Sequence, residues 1–296
     1  MEASEITEII NAINQSGGLP VQMHMVSEQN WEQFGITVFL AAIGSILMVY
    51  YAFIFAKPLF GAVQSWIKLY RIKSLMGRNI LLVKHTQQDL FSASMIDSGT
   101  MYKLEKAIKK FNGKPFDLIL HTPGGYVFFT QILSRIIKKY PGQVRALIPF
   151  YAMSGGTFLA LSCDEIHMAE TACLGPVDPQ LGTLFMSGSA KSYKEVVRRK
   201  GRRASDSTIQ MAYIGQQYSR TMERMIGELL QSKIADEQQL AEAVQFFTSG
   251  DVEHSYPITR QELESLGLPT KPLALQVKRY MVDIVNSGMI EGVYYI

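Results

Sequence analysis

The chain has 296 residues, of which 47% are hydrophobic and 19% charged, with a formal net charge of +3 at pH 7. That length and apolar content support one large core or two small ones, and so small a charge excludes the basic footprint of a nucleic-acid binder, so no nucleic-acid partner is expected. The two cysteines, Cys163 and Cys173, match no zinc spacing and read as small apolar core residues flanking a strand. No His, Cys or carboxylate set shows ligand spacing, so no metal is expected.

Residues 1–33 carry Glu2, Glu5, Glu8, Glu28 and Glu32 but no Lys or Arg, and Phe34 to Ala56 then runs without a charge. A bilayer core is crossed by about 20 apolar residues, so 34–56 is expected to be a transmembrane helix with the lipid bilayer as its partner. A cleaved signal peptide would have a basic start and a shorter apolar run near the N-terminus. Tyr50, Tyr51 and Trp66 suit an interfacial belt. Lys57, Lys68, Arg71, Lys73 and Arg78 follow the span, so the positive-inside rule places 1–33 outside and the large C-terminal domain in the cytoplasm. Residues 57–78 mix apolar and cationic side chains at helical spacing, as a juxtamembrane helix on the inner leaflet would. A solvent-exposed linker helix has the same pattern.

Beyond residue 79 short apolar strands alternate with amphipathic helices. Ile80 to Val83 and Phe116 to Leu120 bracket a helical Met101 to Phe111, in which Leu104, Ala107, Ile108 and Phe111 share a face. Val127 to Tyr140 repeats the pattern, with Ile132, Ile136 and Ile137 expected inward and Arg135, Lys138 and Lys139 outward. Val144 to Pro149 and Ile166 to Ala169 supply further strands. Continuous apolar strands indicate a parallel sheet covered on both faces, hence an α/β fold. A long helical arm is expected over 193–232, with the cationic run Arg198 to Arg203 near its start as a solvated loop or a contact for anionic headgroups.

Two glycine-flanked loops carry the chemistry. Thr122-Pro123-Gly124-Gly125 and Met153-Ser154-Gly155-Gly156 each follow a strand and open a helix, so both fall at one edge of a parallel sheet, where ligands collect. A carbonyl under attack becomes an oxyanion, and backbone N–H groups stabilise it only at about 2.7–3.1 Å. Gly125 and Gly155 permit that approach, and Ser154, at the start of a helix, is the candidate nucleophile.

The stretch from about Ile80 to Thr270 resembles the Clp-protease and signal-peptide-peptidase class of serine peptidases, in the crotonase-like superfamily. More narrowly, it is similar to the membrane-anchored serine dehydrogenase proteinases. The residues carrying the likeness are Thr122 to Gly125, Met153 to Thr157, Asp164 to Ile166 with Met168-Ala169, Leu174 to Gln180, and His254 to Thr259 leading into Glu262 and Leu266 to Pro269. The resemblance implies a spiral of β-β-α units over 79–272 followed by a C-terminal helix and tail at 273–296. It also implies a homo-oligomeric ring and an ATP-independent serine endopeptidase acting on peptide or protein substrates. No Gly-x-Gly-x-x-Gly follows a strand, so no nicotinamide or other cofactor is expected.

The base that activates Ser154 is left open. Ser192-Tyr193-Lys194 matches the Tyr-Lys element of signal peptide peptidases, which favours Lys194 in a Ser-Lys dyad, with Lys191 as a further candidate base. His254, oriented by Asp178 or Asp251, offers a Ser-His-Asp arrangement instead. His167 reads as a structural residue. Two other functions fit the same shell: an inactive oligomeric membrane scaffold, and a crotonase-like acyl-CoA enzyme.

Overall fold

A computed structural model of the chain describes residues 7–9, 11, 12, 15, 28–86, 94–183, 186–287 and 289–296. The expected extracytoplasmic segment 1–33 lies largely outside them. Two compact units are present, Met1–Lys57 and Pro58–Ile296.

The first helix, α1 (Glu28–Met76), contains the charge-free run, and its most apolar window has a mean hydropathy of 2.3. It is the one helix among the described residues long and apolar enough to cross a membrane. Within the second unit Gly61 lies against the Ser287 carbonyl so closely that no side chain would fit there, and Ser65 and Ser287 share a hydrogen bond of 2.5 Å. Lys68 pairs with Asp283 at 2.7 Å, and Trp66 meets Tyr294 edge-on at 5.9 Å.

The main sheet has six strands in the order β10-β5-β3-β2-β1-β11. Here β1 is Asn79–Lys84, β2 Phe116–His121, β3 Val144–Ile148, β5 Glu165–Met168, β10 Lys271–Pro272 and β11 Gly292–Tyr295. From β10 to β1 the neighbours are parallel, and every residue of β2 is buried, as expected of a sheet covered on both faces. The covering helices are α2 (Ser98–Phe111), α3 (Val127–Lys138) and α4 (Gly155–Ser162). Asp97 caps α2 by accepting the Thr100 N–H at 2.8 Å, and Asn112 ends it in the left-handed region. The buried face of α2 is the expected one. That of α3 is turned: Leu133, Ser134 and Ile137 are buried, whereas Ile132 and Ile136 are half-buried. Helix α4 is buried on all sides, which is why its sequence shows no polar face. Asp117, at 0% exposure, is held by Arg145 through two hydrogen bonds of 2.7 Å and by Arg78 at 3.0 Å.

A second sheet positions the site. It consists of β4 (Tyr151–Ala152), β6 (Cys173–Leu174) and β9 (Ile258–Thr259), and an isolated parallel bridge from Thr122 to Ala152 extends it. Main-sheet strand, small-sheet strand and helix therefore recur, as β3-β4-α4 shows. The arm is a hairpin, β7 (Gln180–Thr183) and β8 (Met186–Ser189), then α5 (Ala190–Lys200), a 3-10 turn at Gly201–Arg203, and α6 (Asp206–Leu230). Helices α7 (Glu237–Thr248), α8 (Arg260–Ser265) and α9 (Leu275–Asn286) complete the fold, and the tail after α9 returns as β11, antiparallel to β1.

His121, at the end of β2, is 4% exposed, and burial followed by the nearby Lys84 charge pushes its pKa down to about 4. An unfolded chain takes up that proton below its ordinary value of 6.5, and the folded chain does not. The stability is therefore complete above pH 6.5 and lost as pH falls toward 4, an effect of about 3 kcal/mol. Urea midpoints in detergent should fall between pH 7 and pH 4.5, and His121→Phe should flatten that dependence; an unchanged slope in the variant would remove His121 from the account.

Candidate active site

The small sheet brings the chemistry together by register. Thr122 bridges Ala152 in parallel, so two residues further on Gly124 lies beside Ser154, and then Gly125 beside Gly155. The contacts agree: a Cβ on Gly124 would stand 2.9 Å from the Ser154 Cβ, and one on Gly155 would stand 3.2 Å from the Gly125 nitrogen. Next across the sheet, Leu174 pairs antiparallel with Ile258. Asp178 comes four residues after the one and His254 four before the other, so the same register brings them face to face.

Ser154 is the N-cap of α4 and has φ 48 and ψ −112, a conformation a residue with a side chain adopts only under constraint. The sharp strand-to-helix turn lifts its hydroxyl into the cavity, as in a nucleophile elbow. The flanking Gly124, at φ 117, and the Ile96 backbone pin the facing loop: Ile96 N–H donates to Gly124 O at 2.8 Å, and Tyr126 N–H to Ile96 O at 2.9 Å. Those two bonds use the alternate groups of the loop. Among the described residues the Gly125 and Gly155 N–H groups have no hydrogen-bond partner.

One cavity of about 410 Å³ is lined by Ser154, Gly125, Gly155, Asp178 and His254, with Phe158, Val177 and Met222 supplying apolar wall. Asp178 is 4% exposed, and both its oxygens are used: His254 Nδ1–H donates to Oδ1 at 2.7 Å, and Gln180 Nε2–H donates to Oδ2 at 2.7 Å. A carboxylate accepting from Nδ1 fixes the tautomer that leaves His254 Nε2 bare to take a proton. No hydrogen bond joins Ser154 Oγ to His254, in keeping with catalytic contacts that tighten only once substrate is bound.

The other candidate bases lie elsewhere. Lys194, on α5, and Lys191 line a separate cavity with Arg220 and Asp251, and neither lines the Ser154 cavity. Lys191 pairs with Asp251, so Asp178 and not Asp251 orients His254. His167 Nε2 bonds Glu165 Oε2 at 2.8 Å on β5, a structural contact. Residues not singled out from sequence include Ile96, which clamps the glycine loop, and Gln180, which fills the second oxygen of Asp178. Gln180 stands in the Leu174 to Gln180 motif, where a donor two residues from a carboxylate is a readable signal; Ile96 carries none.

A ClpP-like SDH-type serine proteinase model matches residues 90–286, and the chain belongs to that family. Two proteins of Methanocaldococcus jannaschii, both described as uncharacterized, are similar: one is 36% identical over 187 residues, 62% of this chain and 61% of that protein, the other 41% over 156 residues, 52% and 53%. The chain thus spans between half and two thirds of the length of these relatives. Among solved structures, the 1510-N membrane-bound stomatin-specific protease has 17% identity and a TM-score of 0.45, over 61% of this chain and 76% of that one. A ClpP1 variant of Listeria monocytogenes has 13% identity and a TM-score of 0.43, over 70% and 98%.

Proposed function

We propose that the protein is a membrane-anchored, ATP-independent serine endopeptidase using Ser154, His254 and Asp178. The observation that carries this reading is the shared cavity: a strained serine, two free amides and a carboxylate-fixed imidazole open onto the same space. Ser154 Oγ bonds to the scissile carbonyl carbon while its proton passes to His254 Nε2, and the carbonyl oxygen takes up the negative charge between Gly125 and Gly155 N–H. Collapse breaks the C–N bond, and His254 returns the proton to the departing amine. Water, giving a proton to the same imidazole, then attacks the acyl carbon, and as the acyl–Oγ bond breaks His254 returns that proton to Ser154 Oγ. Asp178, accepting from Nδ1, steadies the imidazolium.

The apolar wall of the cavity suits unfolded or membrane-derived peptide segments. Support for the anchor is the charge-free part of α1, and the basic residues that follow it favour a cytoplasmic domain. A homo-oligomeric ring completes the proposal. Incubating the full chain in lipid nanodiscs with an unfolded apolar polypeptide should yield new peptide termini by mass spectrometry. No cleavage by the wild type across a panel of such substrates would contradict the assignment.

A further inference from the structure

One buried imidazole next to the site takes no part in the steps above. His85, 1% exposed, directly follows β1, and its backbone N–H donates to His121 O at 2.7 Å. Its Nδ1 lies 3.1 Å from the Thr122 hydroxyl, whose oxygen accepts the Gly124 N–H at 3.2 Å. Its Nε2 faces the Thr100 hydroxyl at 3.5 Å, in the first turn of α2. Helix α2 begins just after Ile96, the segment that clamps Gly124 and Tyr126 from the other side. The one ring therefore touches both chain segments that shape the turn at Gly125.

The Thr122 hydroxyl has a single proton and two acceptors within reach, His85 Nδ1 and, at 3.3 Å, Gly124 O. A bare Nδ1 takes that proton and leaves the Thr122 oxygen facing the Gly124 N–H. Nε2–H is then free to point at Thr100. Burial holds His85 below the ordinary histidine value and Lys103 adds to this, against the opposing pull of Glu291 and Asp97, so the ring is neutral at pH 7.

We propose that His85 is a positioning residue for the oxyanion hole, bracing Thr122 and Thr100 so that the intervening turn aims the Gly125 N–H into the cavity. This rests on Gly125 being an oxyanion donor. Misplacement by a fraction of an ångström reduces what such a donor contributes in the transition state and leaves substrate binding largely untouched.

The test uses the full chain in detergent with two readouts, the rate of fluorophosphonate labelling at Ser154 and hydrogen exchange over residues 122–126. His85→Phe, which keeps the volume and removes both ring nitrogens, should slow labelling about 10–100-fold and speed exchange of the turn. His85→Asn places an amide oxygen where Nδ1 stood and should return labelling to within about 3-fold of wild type. Thr122→Val should match His85→Phe, and the double variant should be no slower than the worse single one. Should His85→Phe fail to fold, the Thr122→Val and His85→Asn comparison decides. Labelling of His85→Phe at the wild-type rate, failure of Asn to restore it, or unaltered exchange over 122–126 would each overturn the proposal. An unlabelled wild type would sink the Ser154 reading instead, and exchange alone would then decide whether His85 braces the turn.

Discussion

His254→Ala is expected to lower kcat by about 10⁶-fold, as is Ser154→Ala, and the double variant should be no worse than either, because nucleophile and base act as one unit. Asp178→Asn should cost about 10⁴-fold, since the amide can present its N–H to Nδ1 and select the wrong tautomer. Lys194→Met should stay within about 3-fold of wild type. The reason is geometric. A general base has to reach the proton it removes, and Lys194 lines a different cavity from Ser154, whereas His254 lines the same one with its Nδ1 held by Asp178 at 2.7 Å. Steady-state kinetics on one peptide decide the order of effects. A large loss with Lys194→Met and a small one with His254→Ala would restore the Ser-Lys dyad.

The second large effect concerns the facing glycines. A methyl group on Gly125 would stand 2.3 Å from Ile96 O and 2.4 Å from Ile96 N, both backbone atoms that no side-chain rotation can move. On Gly124 it would meet Met153 O and the Ser154 Cβ at 2.9 Å, at a backbone φ of 117. Gly125→Ala must therefore push the Ile96 segment away and turn its own N–H, with a loss in kcat of about 10²–10³-fold. Gly124→Ala adds backbone strain to close packing, about 1–3 kcal/mol, which lowers the melting temperature by several degrees in a domain of this size. Gly77→Ala makes a useful control: it too has positive φ, 63, but open space around it. It should cost stability without touching kcat. Equal kinetics for Gly125→Ala and wild type would remove Gly125 from the site.

The legible parts of this site were those encoded locally. Pro123-Gly124-Gly125 and Ser154-Gly155 each announce a strand-to-helix turn, and the chain needs nothing distant to make that turn. The proposed base, His254, is set in place by a contact with Asp178 76 residues away in sequence, fixed by the antiparallel register of two two-residue strands too short to show alternation. A Tyr-Lys spacing on α5 could suggest Lys194 but could not say that it would line a different cavity from Ser154. Strand β11 escaped for a related reason: Gly292 to Tyr295 gains strand character only from β1 alongside. On α3 the apolar stripe was read one residue out of phase, because Ser134 is buried through its bond from Ser162 Oγ at 2.7 Å, while Ile132 and Ile136 sit at the margin.

The central claim is that Ser154 is a nucleophile activated by His254. Covalent labelling of the full chain with a fluorophosphonate, read by intact and peptide mass, tests it most directly. The account predicts a single adduct on Ser154 in the wild type and in Lys194→Met, and none in His254→Ala on the same timescale. An adduct on another residue, or undiminished labelling of Ser154 in His254→Ala, would contradict it.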